Sequence, residues 1–129
     1  MGDDGLGRAR AALAGAEVAE AAAERYLLAH LAALRVAAAV LEARAQATST
    51  GRLRNVWQLV GEVAPEFAEW AGFFAATQAK RQAVAAGVTA IVSLREADDL
   101  VRDARAFHDE VARRLAGARW RSSRPSEAG

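Results

Sequence analysis

The stretch Ser93–Leu115, SLREADDLVRDARAFHDEVARRL, decides the fold. Leu94, Ala97, Val101, Ala104, Val111 and Leu115 recur at steps that fit the turn of an α-helix with one apolar face, and the slot completing the series is His108. Ser93 and Glu96 form the S-x-x-E pattern of a capping box, which sets the start of the helix. A histidine therefore occupies a position where a core residue is expected. Arg102 and Asp103 lie one to two turns earlier, at the edge of the same packing face.

Upstream, VTAIV (88–92) has strand propensity, but one isolated run cannot make a stable sheet, so it is read as an extended connector. Gly87 ends a helix that enters at Pro65, where a missing N–H costs nothing, and runs through Phe67, Trp70, Phe73, Phe74 and Val84. Phe67, Trp70 and Phe74 share a face and should supply the large apolar contacts. Before it, Asn55 with Gln58 makes a second capping-box pair, opening a short helix through Trp57, Leu59 and Val60. TSTGRLRN (48–55) reads as a linker. From Glu24 to about Ala47, Leu27, Leu31, Leu34, Ala38, Leu41 and Ala45 alternate at four and three, and Tyr26, Leu28, Val36 and Val40 widen the apolar surface. That breadth marks a central helix. A weaker helix, Leu6 to about Glu20, precedes it and contains Gly15. The expected organisation is a flexible leader (1–5), one helical domain (6–118) and a disordered basic tail (119–129). The architecture is all-α, four main helices plus a short one.

Composition agrees with one helical core. The chain has 129 residues, about a quarter of them alanine, and only two prolines. Charge is nearly balanced, 17 basic against 16 acidic side chains, which argues against a broad duplex-DNA-binding face. The absence of cysteine excludes disulfides and thiolate chemistry and is compatible with a cytoplasmic location. MGDDGLGRAR lacks the pattern of a signal peptide. Tyr26–Leu41, the least charged stretch, is interrupted by His30 and Arg35 and reads as too short and too polar to span a bilayer. No cofactor or metal is expected: two histidines and no cysteine supply no paired ligand spacing, and neither a phosphate loop nor a nucleophile elbow is present.

What remains is Arg followed at short range by His, which occurs at Arg25–His30 and at Arg102–His108. Such a pair suits RNA cleavage, because histidine moves a proton near neutral pH while Arg holds the phosphate. On a straight helix, however, Arg25 and His30 point about 140° apart and Arg102 and His108 about 120° apart. A working site therefore needs a wrapped side chain, a bend or a second subunit. The alternative for both histidines is structural: a packed ring hydrogen-bonded to a neighbour. Trp120, between Arg119 and Arg121, has the chemistry to stack on a base.

The strings ERYLLAHLAALRVAAAVLEAR, VAPEFAEWAGFFAA and READDLVRDARAFHDEV together resemble an actinobacterial branch of the HEPN superfamily, over about Leu13–Leu115. The resemblance implies an up-and-down bundle of four to five helices that commonly dimerises. It also implies a metal-independent endoribonuclease, toxin-like or RNA-processing, with Arg102, Asp103 and His108 in the catalytic positions. Arg25 and His30 are secondary candidates that match the branch's string but not the location of the nuclease motif. Partners implied are a second copy, RNA, and an antitoxin or other protein. Other members of the superfamily lack the activity and serve as RNA-binding or protein-interaction modules, so both classes stay open. Asp99 and Asp103 add negative charge where an RNA phosphate would bind.

Overall fold

The computed structural model describes residues 5–44 and 55–123, with side chains as far as residue 118. Readings that concern 1–4, 45–54 and 124–129, the centre of the linker among them, lie outside the described residues. Among the described residues the chain is all-α. The helices are α1 (Gly7–Val18), α2 (Ala22–Arg44), α3 (Val56–Val63), α4 (Ala68–Ala76), α5 (Gln78–Ala85) and α6 (Leu94–Ser123), with 3-10 turns at Pro65–Phe67 and Thr89–Ile91.

Helix α2 is the axis of the bundle and packs most extensively on α1 and α6. Alanine makes this close packing feasible. Ala9, Ala12 and Ala16 of α1 and Ala29, Ala32, Ala33 and Ala37 of α2 are all buried, so short side chains let the backbones approach. Gly5 turns into α1 at φ +84°, and a Cβ there would lie 3.1 Å from the Cβ of Ala39. By length and composition α2 could cross a bilayer, a longer apolar span than Tyr26–Leu41 alone indicates. In this fold its buried residues, Tyr26 to Val40, belong to the core.

Helix starts follow their local signals. The Asn55 side chain accepts from the Gln58 N–H at 2.9 Å and the Gln58 side chain accepts from the Asn55 N–H, closing the capping box of α3. At α6 the Ser93 side chain closes its part of the box. Ser93 Oγ accepts from the Glu96 N–H at 3.0 Å, while the Glu96 carboxylate turns to Lys80 Nζ, 2.5 Å away. Helix α5 ends at Gly87, φ +106°, where the Val88 N–H donates to Ala83 O and the Gly87 N–H to Val84 O. This is a Schellman closure, and only glycine takes that φ without strain.

Three expectations are corrected. The helix from Pro65 to Gly87 is not continuous. It begins as a 3-10 turn and breaks at Thr77, whose N–H and hydroxyl both donate to the Phe74 carbonyl, at 3.2 and 2.9 Å. VTAIV is not simply extended: Thr89–Ile91 is a 3-10 turn, and Val92 alone adopts extended angles before α6. The last helix does not stop near Gly117 but continues to Ser123, so the first residues of the expected disordered tail are helical.

The core is aromatic at its centre. Phe107 meets Trp57, Phe67, Trp70 and Phe74, with ring centroids 5.5 to 6.4 Å apart. Trp57 stacks on Phe74 at 5.3 Å. Thus α6, which packs chiefly on α2, reaches α3 and α4 through Phe107, while Ala97, Leu100, Ala104, Val111 and Leu115 are its other buried residues. Leu94, placed in the apolar stripe by its spacing, is 49% exposed.

Candidate functional site

Arg102 and His108 lie on the same helix but make no contact with each other. The Arg102 side chain is exposed, with its guanidinium 3.0 Å from Asp99 and 3.4 Å from Asp103. The three residues line one cleft together with Tyr26, Thr77 and Leu100. His108 is buried. Its Nδ1 lies 2.9 Å from Asp109 Oδ1, and its Nε2 is closed off from solvent without a hydrogen-bond partner among the described residues. The two side chains thus face different surroundings, Arg102 the exposed surface and His108 the interior. Asp103 joins Arg102, and Asp109 joins His108.

The other pair separates in the same way. Arg25 closes the α1–α2 elbow. Its Nε and Nη2 donate to the Ala19 carbonyl at 3.1 and 2.6 Å, and its Nη1 to Asp98 at 2.5 Å, tying the elbow to the start of α6. His30 is fully buried, edge-on to Trp57 and Phe74, with Nε2 3.4 Å from the Phe74 carbonyl. Burial pushes its pKa down to about 4, helped by the positive charge of Arg81 and opposed by the Phe74 hydrogen bond. His30 is therefore neutral near pH 7 and serves the core.

Around Arg102 the surface is acidic. Glu69, Asp103 and Glu110 line a cleft with Trp70 and Phe73 between α4 and α6. Glu96, held by Lys80 below the usual carboxylate range, lines the neighbouring one and, after burial itself, raises the Tyr26 phenol. A phosphate approaching Arg102 would meet these carboxylates first. Basic side chains gather instead near the far end of α6, where Arg44, Arg113 and Arg114 surround Glu66. Arg44 pairs with Glu66 and lowers its pKa. Among the described residues no group of three or more His, Asp and Glu is arranged to hold a metal ion.

The sequence did contain the signal for the acidic cleft. Asp99, Asp103 and Glu110 repeat at four and seven along α6, and Glu69 and Phe73 are four apart on α4, so each set shares a helical face. Asp109 as the partner of His108 follows from no spacing rule, since adjacent residues on a helix point apart.

These features define an all-α bundle around an aromatic core. A family model for HEPN-like domains matches residues 16–112, and the chain belongs to the HEPN superfamily. No curated protein and no solved structure matches it.

Proposed function

We propose that this HEPN domain is a non-catalytic helical module that binds a protein partner. One observation carries the reading: Arg102 is occupied by Asp99 and Asp103 on an exposed acidic face, while His108 Nε2 is shut inside the bundle. A metal-independent ribonuclease needs the opposite arrangement, a free cation for the phosphate and a histidine within reach of the 2′-OH. Acidic surroundings further disfavour RNA at this face. Exposed Val88, Ile91 and Leu94 between α5 and α6 support self-association as a homodimer.

A second reading, the endoribonuclease, is favoured by one contact. Asp109 at His108 Nδ1 resembles the carboxylate that orients an acid/base histidine. In that reading a conformational change or a second subunit exposes Nε2. The test is RNA incubated with purified protein in EDTA, wild type beside His108→Ala. The module reading expects no cleavage by either protein; cleavage by wild type that vanishes in a folded His108→Ala overturns it.

A further inference from the structure

The two clefts between α4 and α6, about 360 and 290 Å³, share Phe73 and Asp103 and so form one groove. We infer that this groove docks an arginine-bearing segment of a partner protein, an inference that rests on the reading of the domain as a protein-binding module. The aromatic lining comes first. Phe74 takes the inward position on α4, which leaves Phe73 packed edge-on against it and 40% exposed. Trp70 is a rigid wall: its Nε1–H donates to Glu110 at 3.0 Å, and its ring stacks on Phe107 and Phe74. A wall already fixed in place loses little conformational freedom when a ligand arrives.

The charges select the ligand. Glu69 is exposed and makes no ion pair among the described residues. Among the described residues Asp103 is held only by the long contact to Arg102, and Glu110 has a 3.6 Å contact to Arg114 besides Trp70. Carboxylates beside exposed aromatic surface suit a guanidinium, which offers a planar cation to the rings, a fork to the carboxylates and an apolar stem to the groove. Arg102 lying against Asp99 and Asp103 shows that these acids accept such a group. From Glu96 to Glu110 the lining follows about 20 Å of helix, more than one small cation can fill. A polypeptide carrying several arginines spans it. A nucleic acid, with its phosphates facing the same carboxylates, does not.

The test is fluorescence anisotropy with the full chain and three fluorescein-labelled probes: a peptide of repeated Arg-Leu-Ala units, a matched Glu-Leu-Ala peptide, and a single-stranded RNA. Phe73→Ala and Glu69→Gln change exposed side chains, and circular dichroism verifies their fold. The arginine peptide is expected to bind wild type, and each single variant to weaken it about tenfold, the worth of one charge-assisted or cation–π contact. Glu69→Gln/Asp103→Asn weakens it further. Glu20→Gln/Glu42→Gln, with the same change of net charge and with Glu42 in a separate cleft beside Arg8 and Arg35, leaves it unchanged. Absent binding, equal binding to wild type and the groove variants, or RNA in place of the peptide overturns the inference. Failure here with no RNA cleavage removes only the groove, whereas His108-dependent cleavage removes the module reading itself.

Discussion

His30 Nε2 lies 3.4 Å from the carbonyl oxygen of Phe74, the same oxygen that receives the N–H and hydroxyl of Thr77. The break between α4 and α5 and the buried histidine of α2 are therefore one device. An unbroken helix would commit this carbonyl to the residue four places on; the break leaves it to Thr77 and within reach of the ring. An acceptor at Nε2 requires the proton there, so Nδ1 is bare, and it has no partner in the core.

The first prediction follows from that neutral ring. Its folded-state pKa of about 4 lies below the ordinary 6.5, so on acidification the unfolded chain takes up the proton first. The stability that His30 contributes is whole above about pH 6.5 and is lost as the pH falls toward about 4. Between about pH 7 and about pH 5 the loss is about 2 kcal/mol. Urea unfolding of wild type and His30→Leu at both pH values measures it, since other titrating groups are common to both chains. The same pH dependence in the two proteins would contradict a buried neutral His30.

Phe107 gives the second. It is fully buried and touches Trp57, Phe67, Trp70 and Phe74. Phe107→Ala opens a cavity at the meeting point of α3, α4 and α6 and is expected to cost about 3–5 kcal/mol. Leu94→Ala, on the exposed first turn of α6, should stay within about 0.5 kcal/mol of wild type. Comparable losses in the two variants would mean that α6 is rotated from the position described.

That rotation marks the limit of what the sequence reveals. The period of α6 is legible, but alanines contribute so little apolar signal that His108 and Phe107 compete for the inward position, and only the aromatic partners on α3 and α4 settle it. Local signals were more decisive. Asn55 with Gln58 and the glycine at 87 act through their own backbone neighbours, and both helix ends fall where expected. The break at Thr77 was illegible because QAKRQAVA continues a helix by propensity, while the Phe74 carbonyl that Thr77 captures is also approached by His30 of α2, a partner remote in sequence. For the candidate site, helical angles alone indicated that Arg102 and His108 diverge. The capture of Arg102 by Asp99 follows from their i,i+3 spacing.

Two glycines supply opposite expectations. At Gly5 the φ of +84° and the nearby Ala39 penalise any side chain, so Gly5→Ala should cost about 1 kcal/mol or more. Gly61 sits inside α3 with nothing within 4 Å of a would-be Cβ. Gly61→Ala should therefore stabilise by about 0.5–1 kcal/mol through helix propensity. Thermal melts of the two variants beside wild type decide this, and shifts of the same sign would contradict one of the two local geometries.

Arg102 and His108 provide the last prediction through a double-mutant cycle. Arg102 is exposed and, among the described residues, paired only with neighbours on its own helix, so Arg102→Ala should change stability by less than about 0.5 kcal/mol. His108→Ala removes a buried ring together with its contact to Asp109 and should cost about 1–3 kcal/mol. Because the two side chains share no partner, the double variant should lose the sum of the single losses, with coupling below about 0.5 kcal/mol. The cycle is run by urea unfolding at dilute and at high protein concentration. Additivity at both keeps Arg102 and His108 as separate surface and core residues. Coupling that emerges only at high concentration would show the two side chains meeting across a subunit boundary, the arrangement that a shared ribonuclease site requires.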